Sequence, residues 1–202
     1  MGKFLAIVLC LACVSCARKD DARTDGMASA NFGAMNGKSM IVQKPALIRL
    51  GIKPLELDEA RAYMGSLYGA LVPDLEKTNI TYQMAGNDII LTIQSHIVLK
   101  DDETILDDIK PQLDGMAATL ARFGRTFVEF RGHTSSEGGR NANLRRSLAM
   151  ATTLADYFIA RRLMPERVFV NGAGESMWIA DNGTREGRLL NHRVEIRISP
   201  VI

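Results

Sequence analysis

Residues 126–131 read TFVEFR and residues 167–172 read RVFVNG. Between them lie a polar, glycine-rich loop, GHTSSEGG (132–139), and a stretch over about 141–162 whose apolar residues recur at helical spacing: Leu144, Leu148, Ala151, Leu154, Ala155 and Phe158. Short runs rich in β-branched and aromatic residues predict strands, and a period near 3.6 predicts an amphipathic helix. These residues are therefore predicted to form a strand, a loop, a long helix and a second strand.

The flanking segments continue the alternation of strands and helices. RVEIRI (193–198) alternates apolar and charged residues, and ITYQMAGNDIILTI (80–93) holds two strand-like runs around Gly86-Asn87, which is a hairpin signal. Residues 108–123 again carry apolar residues at helical spacing. Strands that alternate with helices predict an α+β domain, with a mixed sheet and helices packed on one side of it.

The N-terminus has the pattern of an export signal. Residues 1–16 read MGKFLAIVLCLACVSC, in which Lys3 precedes an apolar run over 4–14. That run is too short to cross a bilayer as a helix, which takes about 20 residues, and it has the size of a secretory signal core. The pair Ser15-Cys16 then precedes polar ARKDD, and the whole segment resembles a bacterial lipoprotein signal.

All three cysteines, Cys10, Cys13 and Cys16, lie in this segment, so the sequence excludes a disulfide framework or a cysteine zinc site in the folded part. The resemblance implies that Cys16 becomes the lipidated first residue of the mature chain, with acyl chains such as palmitate; Cys13 is the alternative attachment point. Ala17 rather than Asp follows Cys16. By the sorting rule of enteric lipoproteins, the expected location is the outer membrane, with the domain in the periplasm.

The predicted organisation has four parts. Residues 17–55 contain Gly, Ala, Ser, Asn and Met without sustained periodicity, which is typical of an irregular tether. The predicted boundaries are a lipoprotein signal peptide over 1–15, a lipidated N-terminus and irregular tether over 16–55, a helical segment over 56–78 and the main domain over 79–202.

Composition excludes several function classes. The 202-residue chain carries 25 basic and 23 acidic residues, a balance that argues against nucleic acid as a partner. The three histidines, His96, His133 and His192, lack metal-ligand spacing, so no metal site is predicted. No G-x-S-x-G element is present, and a lipidated cysteine is no free nucleophile. We therefore predict a protein that is not an enzyme and binds no cofactor.

Three sequence blocks carry a family resemblance. Gly132-His133-Thr134 follows a strand, as in the GHTD loop of the family, and residues 143–151 fit its N-x-x-L-S-x-x-R-A helix. GAGESMWIADNGTREGRLLNHRVEI (172–196) tracks the family's C-terminal ending. On these blocks the stretch from about Asn79 onward resembles the OmpA C-terminal domain, shared with Pal and MotB. The resemblance implies a β-α-β-α-β-β two-layer sandwich that binds peptidoglycan.

The resemblance also implies a binding site, and this sequence departs from it at two positions. In the family a loop Asp and a helix Arg hold the ammonium and the carboxylate of the diaminopimelate residue in peptidoglycan. Those positions hold Ser135 and Met150 here, so both charged anchors are altered. Losing one partner of a desolvated charge pair costs about 2–5 kcal/mol in comparable interfaces.

Nearby residues offer replacements for the missing charges. Arg146 lies four residues before Met150 on one helical face, and Glu137 could replace the loop carboxylate; a solvent-exposed Arg146 is the simpler alternative. Thr134, Asn143 and Arg193 match cleft positions of the family, although Asn143 could instead be a helix cap. The candidate peptidoglycan-binding residues are therefore Thr134, Asn143, Arg146 and Arg193.

Two functions are compatible with these features. In the first, an outer-membrane lipoprotein anchors the envelope to peptidoglycan through a modified cleft. In the second, the domain has reduced or no peptidoglycan binding and is a structural subunit of an envelope complex, for which a Dot/Icm-type type IV secretion core is the family analogy. The two altered anchors favour the second function, whereas the retained scaffold favours the first.

Overall fold

Six strands form one mixed sheet in the computed structural model, which describes residues 31–202. The expected signal peptide and Cys16 lie outside the described residues. The strands are β1 (Asn31–Phe32), β2 (Thr81–Ala85), β3 (Asp88–Gln94), β4 (Leu99–Lys100), β5 (Thr104–Ile105), β6 (Thr126–His133), β7 (Val168–Gly172) and β8 (Arg193–Pro200), of which β4 and β5 form a separate small hairpin. The helices are α1 (Gly37–Arg49), α2 (Leu57–Leu75), α3 (Lys110–Arg122), α4 (Arg140–Ile159) and α5 (Arg185–Asn191).

The sheet has the order β1-β7-β6-β8-β3-β2. β7 pairs in parallel with β6 and with β1, while β8 lies antiparallel to both β6 and β3. The predicted hairpin is present as β2 and β3, joined at Gly86, which adopts a positive φ of 64° that glycine accepts without strain. Along the chain the main elements follow in the order β3, α3, β6, α4, β7 and β8. This order confirms the predicted α+β fold of the β-α-β-α-β-β type.

One face of the sheet carries the main core. The strands contribute alternate apolar residues such as Val128, Phe130 and Ile196, and α2, α3 and α4 cover them. On α4 the buried residues include Met150, Leu154 and Phe158. Leu144 was predicted on this apolar face, but it is 39% exposed and lies at the rim of a surface cavity.

Helix α4 lies directly against the backbone of β6 and β7. Gly132 and Gly172 are paired across these strands, and neither has room for a side chain. A Cβ at Gly132 would lie 1.9 Å from the Ser147 carbonyl oxygen, and one at Gly172 would lie 2.7 Å from the Leu148 nitrogen. The two glycines thus allow the start of α4 to sit on the strand ends.

A second, smaller core occupies the opposite face of the sheet. Phe127 and Phe169 alternate with the main-core residues along β6 and β7, and they pack with Met35, Leu47 and Val201. α1 lies over these residues, so the helices are not confined to one side. The expected irregular tether is therefore wrong for residues 37–49, which form a capped helix despite Pro45.

A buried arginine joins the end of α3 to β6. Arg167 is 1% exposed and donates hydrogen bonds to the carbonyl oxygens of Thr126, Leu120 and Phe123 at 2.6, 2.9 and 3.0 Å. Burial lowers the pKa of Arg167 to about 10, which leaves it charged at neutral pH. One guanidinium thereby satisfies three carbonyl groups near the core.

Candidate functional site

A cleft of about 370 Å³ lies beyond the end of β6, between the loop after that strand, the first turns of α4, and α5. β6 ends at His133, and the polar loop that follows presents its side chains beyond the end of this strand. The lining residues are Ser135, Glu137, Arg146, Arg185, Arg188, Leu189 and His192. The site is therefore rich in cations.

Arg146 lies in this cleft and is paired with a carboxylate from a distant part of the chain. Its Nε is 2.9 Å from Asp102 Oδ2, and Asp102 Oδ1 is 2.7 Å from His192 Nε2. The hydrogen bond with His192, opposed by burial and helped by the charge of Arg146, lowers the pKa of Asp102. Asp102 takes a positive φ of 60° in the turn between β4 and β5. An ionised carboxylate is thus present beside Arg146 and His192.

Glu137 and Arg188 form a second ion pair across the cleft, with Glu137 Oε1 2.8 Å from Arg188 Nε. Arg188 also donates to the carbonyl oxygens of Asn182 and Gly183, which fixes its guanidinium. Arg185, one turn earlier on α5, forms no ion pair or side-chain hydrogen bond among residues 31–202. The cleft consequently holds two balanced pairs and one additional positive charge.

The two altered anchor positions differ in their surroundings. Ser135 lines the cleft and is 8% exposed. Met150 is fully buried in the main core, one turn of α4 beyond Arg146, and does not line the cleft. An apolar side chain at position 150 thus belongs to the packing of α4, and the only arginine that α4 contributes to this cleft is Arg146.

Thr134 and Asn143 join neighbouring loops beside the cleft. The Thr134 nitrogen donates to the Gly174 carbonyl at 2.9 Å, while its buried Oγ1 has no hydrogen-bond partner among the described residues. Asn143 Nδ2 donates to Glu175 Oε2 at 2.5 Å and to the Ser135 carbonyl at 3.4 Å, and the residue is 2% exposed. Asn143 therefore bridges two loops from within α4 and is not among the cleft-lining residues.

Arg193 was predicted at the cleft but does not line it. It is 2% exposed, pairs with Glu195 at 2.7 Å and donates to the carbonyl oxygens of Met177 and Asn191. Asn191, which is fully buried, accepts from the Ile179 and Ala180 nitrogens. Together, Arg193 and Asn191 hold the loop over 173–184 against the start of β8.

His133 and Glu195 lie on the face of the sheet that carries the smaller core. His133 is fully buried, its Nε2 is 3.5 Å from Glu195 Oε2, and burial lowers its pKa despite this neighbour. Burial alone would raise the pKa of Glu195, but its interactions with His133 and Arg193 lower it to about 2. Neither ring nitrogen of His133 has a hydrogen-bond partner among residues 31–202.

A larger cavity of about 590 Å³ lies beside the loop over 173–184. Arg140, Leu144, Ala173, Glu175, Ser176 and Trp178 line it. The tip of this loop exposes three large apolar side chains, with Met177 at 50%, Trp178 at 60% and Ile179 at 56%. Apolar groups exposed together in this way commonly mark an interaction surface.

Two features are absent from the described part of the chain. Residues 31–202 contain no group of three or more His, Cys, Asp or Glu side chains arranged to hold a metal ion. In the same range no helix combines the length and the apolar composition needed to cross a membrane.

Comparison with known proteins agrees with this architecture. Residues 100–192 match the sequence model of the OmpA family, a range that includes Asp102, α3, β6, α4, β7 and α5. The domain is OmpA-like. The cleft-lining residues all fall within the matched range, so the cleft belongs to the part of the chain that the family shares.

Three proteins illustrate what the OmpA-like domain is similar to. "Probable lipoprotein YiaD" of Escherichia coli is 28% identical over 176 residues, which cover 87% of this chain and 80% of that protein. "Peptidoglycan-binding protein ArfA" of Mycobacterium bovis is 36% identical over 72 residues, which cover 36% of this chain but only 22% of ArfA. The cell wall anchor of the T6SS from Pseudomonas aeruginosa superposes with a TM-score of 0.59 at 24% identity, over 66% of this chain and 96% of that structure. At 24% identity, the similarity to the T6SS cell wall anchor concerns the fold alone.

The sequence alone indicated part of the cleft. Ser135 was identified through the family resemblance, and Glu137 and Arg146 as nearby replacements for the missing charges, but Asp102, Arg185 and the role of His192 were missed. Arg188 lies in the block over 172–196 that tracks the family's C-terminal ending, which was a usable signal. No sequence signal pointed to Asp102, because it lies 44 positions before Arg146 and reaches the cleft through the turn between β4 and β5.

Proposed function

We propose that this protein is a non-enzymatic lipoprotein that anchors the envelope to peptidoglycan, held at the outer membrane by lipid on Cys16. The observation that carries the proposal is the cleft lined by Arg146, Arg185, Arg188 and Glu137 within the family-matched range. The relative ArfA, named as peptidoglycan-binding, and the relative YiaD, named as a lipoprotein, support it.

The cleft chemistry suits the diaminopimelate residue of the peptide stem, which presents a carboxylate and an ammonium on one side chain. Arg146 and the unpaired Arg185 can receive the carboxylate, and Asp102 or Glu137 can receive the ammonium. Both pairs are partly exposed, with Arg146 at 57% and Glu137 at 69%, and exposed pairs contribute only about 0–1 kcal/mol each. They can therefore exchange partners with the ligand at small cost.

Retention on purified sacculi tests the proposal. A chain beginning at Ala17 is suitable because every residue of the two hydrophobic cores lies between Met35 and Val201. Arg146→Ala should release the protein, since it removes the arginine that α4 contributes to the cleft. Arg145→Ala is the matched control, because Arg145 is exposed on the same helix but lines a different cavity.

The second measurement adds a charge at the altered loop position. Ser135→Asp places a carboxylate where the family has one, within the cation-rich cleft, and should increase retention. Equal retention of wild type, Arg146→Ala and Ser135→Asp would contradict the assignment of the cleft. No retention of the wild type would contradict the anchoring function itself.

A second candidate function is a structural subunit of an envelope complex, and the exposed tip at Met177, Trp178 and Ile179 favours it. These side chains would be buried by a protein partner, as aromatic and methionine side chains commonly are at the centre of interfaces. A photo-crosslinker at Trp178 in living cells tests this function. A discrete protein adduct, together with unretained protein in the sacculus assay, would support it over peptidoglycan anchoring.

A further inference from the structure

The outward face of α1 is apolar. Ile41 is 73% exposed, Val42 is 70% exposed and Ile48 is 49% exposed, whereas the helix buries only Leu47 completely. Ile41, Pro45 and Ile48 follow one another at spacings of four and three residues, so they form a continuous stripe along one side of the helix. We call Ile41, Val42, Pro45 and Ile48 the α1 stripe. No residue of the described chain covers it.

The charged side chains of the segment that carries the α1 stripe are all basic. Residues 31–55 contain Lys38, Lys44, Arg49 and Lys53 but no Asp or Glu. Lys38 and Arg49 lie on the same half of the helix as the stripe, by the 100° spacing of helical residues. Exposed apolar side chains flanked only by basic residues are typical of helices that lie in the interface of an anionic membrane.

The domain holds α1 in a fixed orientation. Gln43 Nε2 donates to the Glu166 carbonyl at 3.0 Å, and Lys44 Nζ donates to the Ile202 carbonyl at 2.6 Å. At its start, Asn36 and Ser39 cap the helix reciprocally. Because these contacts lie on the inward side, the stripe remains available to an external surface.

The position of α1 in the chain points to a membrane as that surface. Gly37 lies 21 residues after Cys16, a separation that spans at most about 70 Å of extended chain. We propose that the α1 stripe lies on the surface of an anionic phospholipid bilayer, with Lys38 and Arg49 against the headgroups. This contact is separate from the cleft and would orient the domain on the membrane beyond what a lipid tether does.

Vesicle binding by the unlipidated chain from Ala17 tests the contact without the lipid anchor. The vesicles contain equal parts of phosphatidylethanolamine and phosphatidylglycerol, with pure phosphatidylcholine vesicles for comparison. We expect the protein to float with the anionic vesicles, and binding to fall with added salt because surface attraction is screened. Absence of binding to the anionic vesicles would overturn the proposal.

Substitutions in the stripe locate the binding surface. Ile41→Asn combined with Ile48→Asn should lower the affinity about tenfold or more, because two side chains no longer leave water. The control combines Met84→Asn with Leu190→Asn, at 38% and 43% exposure outside α1, and should bind as the wild type does. Circular dichroism checks that both variants fold.

Three further results would overturn the proposal: equal binding by the stripe variant and the wild type, an equal loss in the control, or a crosslink from Val42→Cys to a protein in place of lipid. Sacculus retention is measured in parallel. The stripe and the cleft share no residue, so the two assays fail independently. Loss of vesicle binding with intact sacculus retention refutes only the membrane contact. Vesicle binding without sacculus retention refutes only the anchoring function.

Discussion

Replacing Gly132 by Ala tests the close approach of α4 to β6. The added Cβ would lie 1.9 Å from the Ser147 carbonyl oxygen, 2.6 Å from its carbonyl carbon and 3.0 Å from its Cα. All three atoms belong to the backbone of α4, so no side-chain rotation can relieve the overlap. Helix and strand must separate by more than about 1 Å to restore van der Waals contact.

Separating α4 from β6 lowers the free energy of unfolding by an amount that can be worked out. α4 buries Met150, Ala151, Leu154 and Phe158 against the sheet, and displacing it opens gaps along this interface. Overpacking of a core costs about 1–3 kcal/mol, and a clash with rigid backbone belongs at or above the upper end. We therefore expect Gly132→Ala to lower the free energy of unfolding by about 3 kcal/mol, and the melting temperature by about 6–12 °C.

Urea unfolding followed by circular dichroism measures this change. Gly139→Ala is the matched control, because a Cβ there meets no atom within 4 Å and it precedes the same helix. Since Arg146 adjoins Ser147, the Gly132 variant should also lose sacculus retention at temperatures where it is still folded. A change in unfolding free energy below about 1 kcal/mol would refute the packing argument, because it falls under the least cost of overpacking.

Three further changes test other parts of the fold. Arg167→Met leaves three carbonyl groups without donors and should cost about 3 kcal/mol or more in urea unfolding, with the exposed Arg61→Met as a neutral control. Gly69→Ala, at an exposed position of α2 with free space around it, should raise the unfolding free energy by about 0.5–1 kcal/mol; a decrease would contradict the assigned helix. Burial holds the pKa of folded His133 below its ordinary value of 6.5, so its contribution to stability is complete above pH 6.5 and is lost as the pH falls through the pKa of the folded state. The pKa of Glu195 is lowered from 4.5 to about 2, so a similar loss of stability follows as the pH falls over that range. Unfolding free energies measured over a pH series should decline accordingly, and His133→Gln should flatten the part nearest neutrality, whereas an unchanged slope would exclude His133 as its source.

The central elements could be predicted because their patterns are local. The alternation in β8 and the helical period of α4 each reflect one buried face, and both were recognised. The same alternation could have placed Arg193 correctly, because Val194 and Ile196 face the main core and their neighbours must face away. Arg193 was assigned to the cleft by family resemblance instead.

Helix α1 was missed for a physical reason. Its apolar residues lie on both sides of the helix, with Ile41 and Ile48 outward and Leu47 inward, and Pro45 interrupts its middle, so it lacks the one-sided pattern of an amphipathic helix. Asp102 was missed because it approaches Arg146 through tertiary structure alone. Contacts between distant segments leave no periodic trace in a single sequence.

The attachment of β1 has a mechanical consequence. This two-residue strand pairs in parallel with β7 at the sheet's edge, and the segment over 31–55 adds only Met35 and Leu47 to the five buried residues of the second core, whereas the main core holds 29 buried residues. If membrane and cell wall were pulled apart, load entering from the N-terminus would peel residues 31–55 away before it reached the main core. The released segment would lengthen the connection by up to about 80 Å. The edge strand and α1 would thus be the first of the described elements to yield, and the cleft at the start of α4 would stay intact.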